Sequence, residues 1–223
     1  NGSRRSGLSF IGPIVQTGKY IGASIGYRLT DEAIWPAQIH DCKAAIRWLR
    51  ANAQQYGADS TKIIVAGSSA GGHLVAMLGT SGDVQELEGN LGNHVDKNSR
   101  VDGVVNFFGP SDLASMGGWH NNSDSPESLL LGGTVPENKK IARAASPITY
   151  ASKDDPPFLT IHGTNDSVVP FEQSVQLTKA LQKAGAFAQL IPIEGGGHGR
   201  PRLRELDDRI QLFLENQVNG TNH

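Results

Sequence analysis

A single cysteine, Cys42, stands among 223 residues, which excludes an internal disulfide and any metal site built from cysteines. No apolar run approaches the roughly 20 residues that a membrane helix needs, so a soluble chain is expected. Nor is one sign of charge in excess: Lys plus Arg number 20 against 22 Asp plus Glu, a formal net charge of −2. The basic residues are spread out apart from Arg4-Arg5 and the group Arg200, Arg202 and Arg204. This argues against nucleic acid or an anionic membrane surface as the main partner. No set of His, Asp or Glu has ligand-like spacing, so neither a metal nor another cofactor is expected. The chain begins at Asn1 with no Met and no charged, apolar, cleavable leader. It is therefore expected to belong to a longer product, and its compartment is not legible. Sequons at Asn121 and Asn219 would matter only in a glycosylating pathway.

What is present is a rhythm. Short apolar runs alternate with helical patterns, the signature of a parallel sheet with crossover helices, and the length suits one α/β domain. Strands are predicted near 20–27, 62–67, 101–109, 157–163 and 187–194; their Val and Ile content without clean alternation suits burial on both faces. The clearest helix is predicted from Pro36 to Tyr56, with Pro in its first turn and Ile39, Cys42, Ile46 and Leu49 along one face. Others are predicted over Ser69 to Leu78, Phe171 to Ala184 with Gly185 as C-cap, and Leu203 to Asn216. The stretch 110–147, rich in Gly, Ser, Asn and Pro, interrupts the rhythm as a lid-like or binding insert would.

Gly67-Ser68-Ser69-Ala70-Gly71 matches G-x-S-x-G between a predicted strand and a predicted helix, the setting that makes this pattern a nucleophile elbow. A sharp strand-to-helix turn strains the central residue, and glycines beside it relieve crowding. Ser69 is then the candidate nucleophile, with the Ala70 N–H at the helix start as an oxyanion donor. A serine needs a base. Asp166 follows the strand at 157–163 and His198 follows that at 187–194, so all three candidates lie past the C-terminal ends of strands, where an open parallel sheet forms its ligand crevice. In this reading His198 acts as base and then acid, and Asp166 fixes its tautomer. Such chemistry starts from a neutral imidazole and is expected to fall off below about pH 6 to 7. His162, beside Gly163, reads as a satisfied supporting histidine and His73 as packed against neighbours. His40 and Asp41 read as a polar helix face, and Asp154 and Asp155 as a turn before Pro156-Pro157. Met116, Trp119 and His120 of the insert are candidates for an acyl or alcohol pocket.

With these residues in place, the chain resembles the carboxylesterase branch of the α/β-hydrolase superfamily, close to the bacterial feruloyl or acetyl-xylan esterase-like, hormone-sensitive-lipase-related group. The resemblance is carried by YRLTDEAIWPAQIHDCKAAIRWL (27–49), GSSAGGHL (67–74), HGTNDSVVP (162–170) and GGGHG (195–199). It implies an α/β-hydrolase fold, nucleophile, acid and base roles for Ser69, Asp166 and His198, and esters as substrates, among them acylated sugars and aryl esters.

One departure stands out. The family's His-Gly-Gly-Gly-type loop, which supplies the other oxyanion N–H groups, would fall just before Asn1; Gly2 and Gly7 do not reproduce it, and Arg4-Arg5 read as lying just beyond it. An N-terminally incomplete fold lacking its first strands is thus expected, at a cost of about 10²–10³ in rate per lost donor. The absent strand would leave a gap of about 9–10 Å between 20–27 and 62–67. Either 20–27 shifts to pair with 62–67, or a strand of another copy fills the slot in a swapped oligomer. The reading is a serine ester hydrolase. A serine peptidase of the same fold and a catalytically silent domain used for binding or assembly remain as alternatives.

Overall fold

The computed structural model describes residues 11–201 and 203–220. Gly2, Arg4, Arg5, Gly7 and Arg202 lie outside them. Four strands, β1 (Ile64–Ser68), β2 (Gly103–Phe107), β3 (Phe158–Gly163) and β4 (Ala188–Ile193), form one sheet in the order β1-β2-β3-β4 with every pair parallel. Parallel neighbours need crossovers. These are supplied by α2 (Ala70–Thr80) after β1 and α5 (Glu172–Ala184) after β3, with α1 (Ala37–Asn52) before the sheet and α6 (Arg204–Asn219) after it.

Alternation along the strands builds two apolar layers. Val65, Val104, Phe158 and Ala188 face α1, α2 and α5, joining Ile39, Cys42, Ile46, Leu74, Leu78, Leu177 and Leu181. Val105, Phe107, Leu159, Ile161 and Ile191 face α6, meeting Leu206, Ile210, Phe213 and Leu214. Both central strands, β2 and β3, are buried at every position. That explains their unbroken apolar reading in sequence. Helix ends follow local chemistry: α1 passes into a 3₁₀ turn and stops at left-handed Gly57, α5 stops at left-handed Gly185, and α6 at Gly220. Glycine adopts that conformation without a Cβ clash.

The insert contains two short helices, α3 (Pro126–Leu131) and α4 (Lys139–Ala144), and short 3₁₀ turns. Ser125 caps α3 by accepting from Ser128 N–H, with Pro126 in its first turn. Leu113, Met116, Leu131, Val135, Ala142 and Ala145 are buried in the layer that holds α1 and α2. The segment is therefore anchored in the core along its length.

The expected strand at 20–27 is not formed, and the shift that would pair it with β1 does not occur. Instead the segment lies without a ladder, its side chains packed on both layers: Tyr20 with the α6 side, Ile25 and Tyr27 with the α1 side. Ion pairs hold both ends. Lys19 meets Glu215 of α6 at 2.8 Å, and Arg28 meets Asp41 of α1 at 2.8 Å while its backbone N–H also donates to that carboxylate. The segment is held by these side-chain contacts instead of by a backbone ladder. Among the described residues β1 has no strand on its other side.

Candidate active site

Ser69 joins β1 to α2 with φ 54° and ψ −121°, a conformation that costs a non-glycine residue of order 1–3 kcal/mol and persists only when its surroundings impose it. Three contacts impose it here. Ser69 N–H donates to Phe107 O at 2.9 Å, tying the turn to the end of β2. Ser69 O accepts from His73 N–H in the first turn of α2. A Cβ on Gly67 would overlap the carbonyl of Gly71, so strand and helix meet there backbone to backbone. Gly71 itself would face open space on carrying a Cβ; the crowding expected at both glycines of the motif falls on Gly67 and, one residue further on, Gly72.

The loops after β3 and β4 approach in the same way. A Cβ on Gly163 would meet the carbonyl of Gly196. Asn165 N–H donates to Gly196 O at 2.9 Å and Gly195 N–H to Thr164 Oγ1 at 2.9 Å. The glycine run 195–197 thus lets the histidine loop lie against the acid loop, and His198 ends up beside Asp166.

The hydrogen bonds form a relay. Ser69 Oγ lies 3.0 Å from His198 Nε2, and His198 Nδ1–H donates to Asp166 Oδ2 at 2.7 Å. Asp166 Oδ1 accepts Val168 N–H and Val169 N–H at 2.8 and 2.9 Å. The carboxylate side chain is fully buried, whereas 22% of the His198 side chain is exposed. Burial by itself would raise the Asp166 carboxyl; the N–H groups of His198, Val169 and Val168 outweigh it and hold it below its ordinary value. It therefore stays an anion, as orienting an imidazole requires. As first residue of α2, Ala70 has no helical acceptor for its N–H, and it is exposed beside Ser69.

Other candidates have structural partners. His73 is buried, donates from Nε2 to Ala145 O at 2.6 Å and stacks tilted on Trp35; burial holds it neutral. Asp41 binds Arg28, the His40 ring packs against Gly89, and Asp155 accepts from the N–H and hydroxyl of Ser152 before β3. Burial pushes the Cys42 thiol up to about 12, which removes it as a nucleophile at neutral pH. Met116 sits in the core. His120 is buried, donates from Nδ1 to Glu127 at 3.0 Å and underlies the Trp119 ring at 3.9 Å between centroids. Trp119 is 45% exposed, so of these three it alone presents a broad open surface.

Phe108 escaped the sequence reading. It has φ 42°, and its ring lies 4.6 Å from that of His198 and 6.2 Å from that of His162. A bulky residue with positive φ leaves no pattern of its own; the only trace is the glycine after it in NFFGP.

With this geometry the chain matches the BD-FAE family over residues 5–181. It belongs to the BD-FAE family. The match spans most of the chain and includes Ser69 and Asp166. This BD-FAE chain is 35% identical over 214 residues to esterase LipC of Mycobacterium tuberculosis, covering 89% of this chain and 51% of that protein. It is 33% identical over 187 residues to esterase LipQ of the same organism, covering 83% and 44%. It spans about half the length of these curated relatives. Among solved structures it is similar to a truncated carbohydrate esterase from gut microbiota, at 41% identity and TM-score 0.82 over 87% of this chain and 73% of that one. It is also similar to a bifunctional GH43-CE protein of Bacteroides eggerthii, at 36% identity and TM-score 0.91 over 96% and 32%. The sheet and its helices are those of the α/β-hydrolase fold of carboxylesterases.

Proposed function

We propose that the chain is a serine ester hydrolase acting on short-chain, aryl or acylated-sugar esters. The observation that carries the reading is the unbroken relay from Ser69 through His198 to the buried, ionised Asp166. Ser69 Oγ attacks the ester carbonyl carbon while its proton passes to His198 Nε2, and Asp166 stabilises the imidazolium. The oxygen that gains the electron pair faces the Ala70 N–H. Collapse breaks the bond to the alcohol, which leaves with the proton from His198. Water, deprotonated by the same imidazole, then cleaves the acyl-Ser69 ester and releases the acid. The names of the relatives, esterases and a carbohydrate esterase, support the ester class. In this reading the open ring of Trp119 receives the alcohol or sugar part, His120 and Glu127 hold that ring in place, and Met116 anchors the segment in the core.

The test is hydrolysis of p-nitrophenyl esters with two to eight acyl carbons, beside a peptide substrate. Ester turnover concentrated at short chains, with no peptide cleavage and a loss of about a thousandfold or more in Ser69→Ala, is the expected result. Peptide cleavage would favour the peptidase alternative. A folded chain inactive on every ester would leave the binding or assembly alternative.

A further inference from the structure

The buried carboxylate of Asp166 is shared by two histidines. His162 on β3 is completely buried, and its Nε2 lies 3.1 Å from Asp166 Oδ2 and 3.0 Å from Val169 O. Both neighbours are acceptors, so Nε2 carries the hydrogen. The Ser174 hydroxyl, itself buried on α5, then donates to the bare Nδ1 at 2.7 Å. The neutral ring is thus held as one tautomer from both sides. It is walled by Phe171 at 5.5 Å and Phe108 at 6.2 Å between centroids. Among the described residues, Oδ1 of Asp166 receives two backbone N–H groups and Oδ2 two imidazole N–H groups.

From this juxtaposition we infer that His162 is a positioning residue: it fixes the Asp166 carboxylate and, by sharing Oδ2, limits how tightly that oxygen holds the His198 imidazolium. A carboxylate oxygen with fewer donors is more basic and binds the remaining cation more strongly. Removing the His162 N–H therefore makes His198 harder to deprotonate, whereas a merely space-filling ring would leave that equilibrium alone. Burial also opposes a proton on His162, consistent with a constant donor. Among the described residues the titratable groups facing His162 are Asp166 from the acid loop and His198 from the β4–α6 loop; α5 offers Ser174, its N-cap is Phe171, and the segment after β2 offers Phe108. Two residues beyond His198, Arg200 pairs with Asp207 at 2.6 Å and lies over the Phe107 ring.

The inference deepens the proposed reaction and rests on it for its kinetic arm only. The experiment compares wild type with His162→Leu, His162→Gln and Ser174→Ala. It reads the acid limb of kcat/KM on p-nitrophenyl acetate, the NMR titration of the His198 ring, and the urea midpoint. In His162→Leu, kcat is expected to fall on the order of 10- to 100-fold with KM within about twofold. The limb and the ring titration are both expected to move up by about half a unit or more. His162→Gln, whose amide N–H replaces Nε2–H, should bring both back towards wild type. Ser174→Ala, which leaves the ring intact but frees Nδ1, should give a smaller shift in the same direction and decides the matter if His162→Leu does not fold. Unmoved titrations in folded variants, or equal movement in Leu and Gln, would overturn the inference. The NMR arm needs no turnover, so a wild type without esterase activity would refute the proposed function and still leave His162 decided.

Discussion

Gly71 and Gly72 are adjacent, yet they differ in what a methyl group would meet. At Gly71 there is open space; at Gly72 a Cβ would stand 2.6 Å from Asn106 Oδ1 and 2.8 Å from Phe107 O and Gly109 Cα. Asn106 is fully buried, and its Oδ1 accepts from Gly109 N–H at 3.0 Å, so it cannot move aside without breaking the turn that carries Phe108. Gly72→Ala is therefore expected to destabilise by about 1–3 kcal/mol, and Gly71→Ala to be neutral or stabilising by up to about 1 kcal/mol, both read from urea midpoints. At this scale the candidate site was legible in sequence for a local reason: Ser69, Asp166 and His198 each sit just past a strand, so three short motifs located them without any knowledge of contacts. Phe108 was not legible, because its place depends on the backbone around it rather than on a residue pattern.

The element scale explains a different kind of residue. Lys43 and Arg47 lie on the inner face of α1 with side chains 0% and 2% exposed, positions that a helical pattern assigns to apolar residues. Their partner is Glu88. It meets Lys43 at 2.5 Å and Arg47 at 3.1 Å, and Ser99 donates to the same carboxylate. Lys43 also donates to Ser81 O, and Arg47 to the carbonyls of Glu88 and Leu91. This one carboxylate ties the loop between α2 and β2 to α1. Burial pushes the Lys43 ammonium down, with Glu88 opposing, so loss of the carboxylate leaves two buried cations unpaired. Glu88→Gln is expected to cost about 3–5 kcal/mol, a large part of an ordinary domain's stability, measured by equilibrium unfolding. The sequence could not indicate this cluster, because charged residues at helical spacing ordinarily mark a solvated face. The missing strand at 20–27 was illegible in a related way: its Tyr and Ile residues are suited to a strand, but the segment is held by the packing of Tyr20, Ile25 and Tyr27 and by the Lys19–Glu215 and Arg28–Asp41 ion pairs instead of by backbone pairing.

Over the whole molecule, two carboxylates, the buried one of Asp166 and the half-buried one of Asp155, act on stability in opposite directions as pH changes. Asp166, held below its ordinary value, contributes stability above that value which is lost as pH falls. Asp155 is raised from 3.8 to about 6, chiefly by burial, with the Ser152 hydrogen bonds opposing. Its folded form binds the proton more tightly than its unfolded form, so it favours the fold below about pH 4 and the benefit fades as pH rises through 6. Asp155→Asn is accordingly expected to be more stable than wild type at pH 7, with the advantage shrinking as pH is lowered to 4. Unfolding midpoints at the two pH values check the sign. The parallel order β1-β2-β3-β4 brings the loops after β1, β3 and β4 to one edge, and this is the global fact on which the relay depends. Its most direct test is reaction of the folded chain with a fluorophosphonate, followed by mapping of the modified residue by mass spectrometry. A single adduct on Ser69, formed far more slowly in His198→Ala and absent in Ser69→Ala, is the predicted result. An unlabelled Ser69 in folded protein, or an adduct elsewhere, would contradict the assignment of Ser69 as an activated nucleophile.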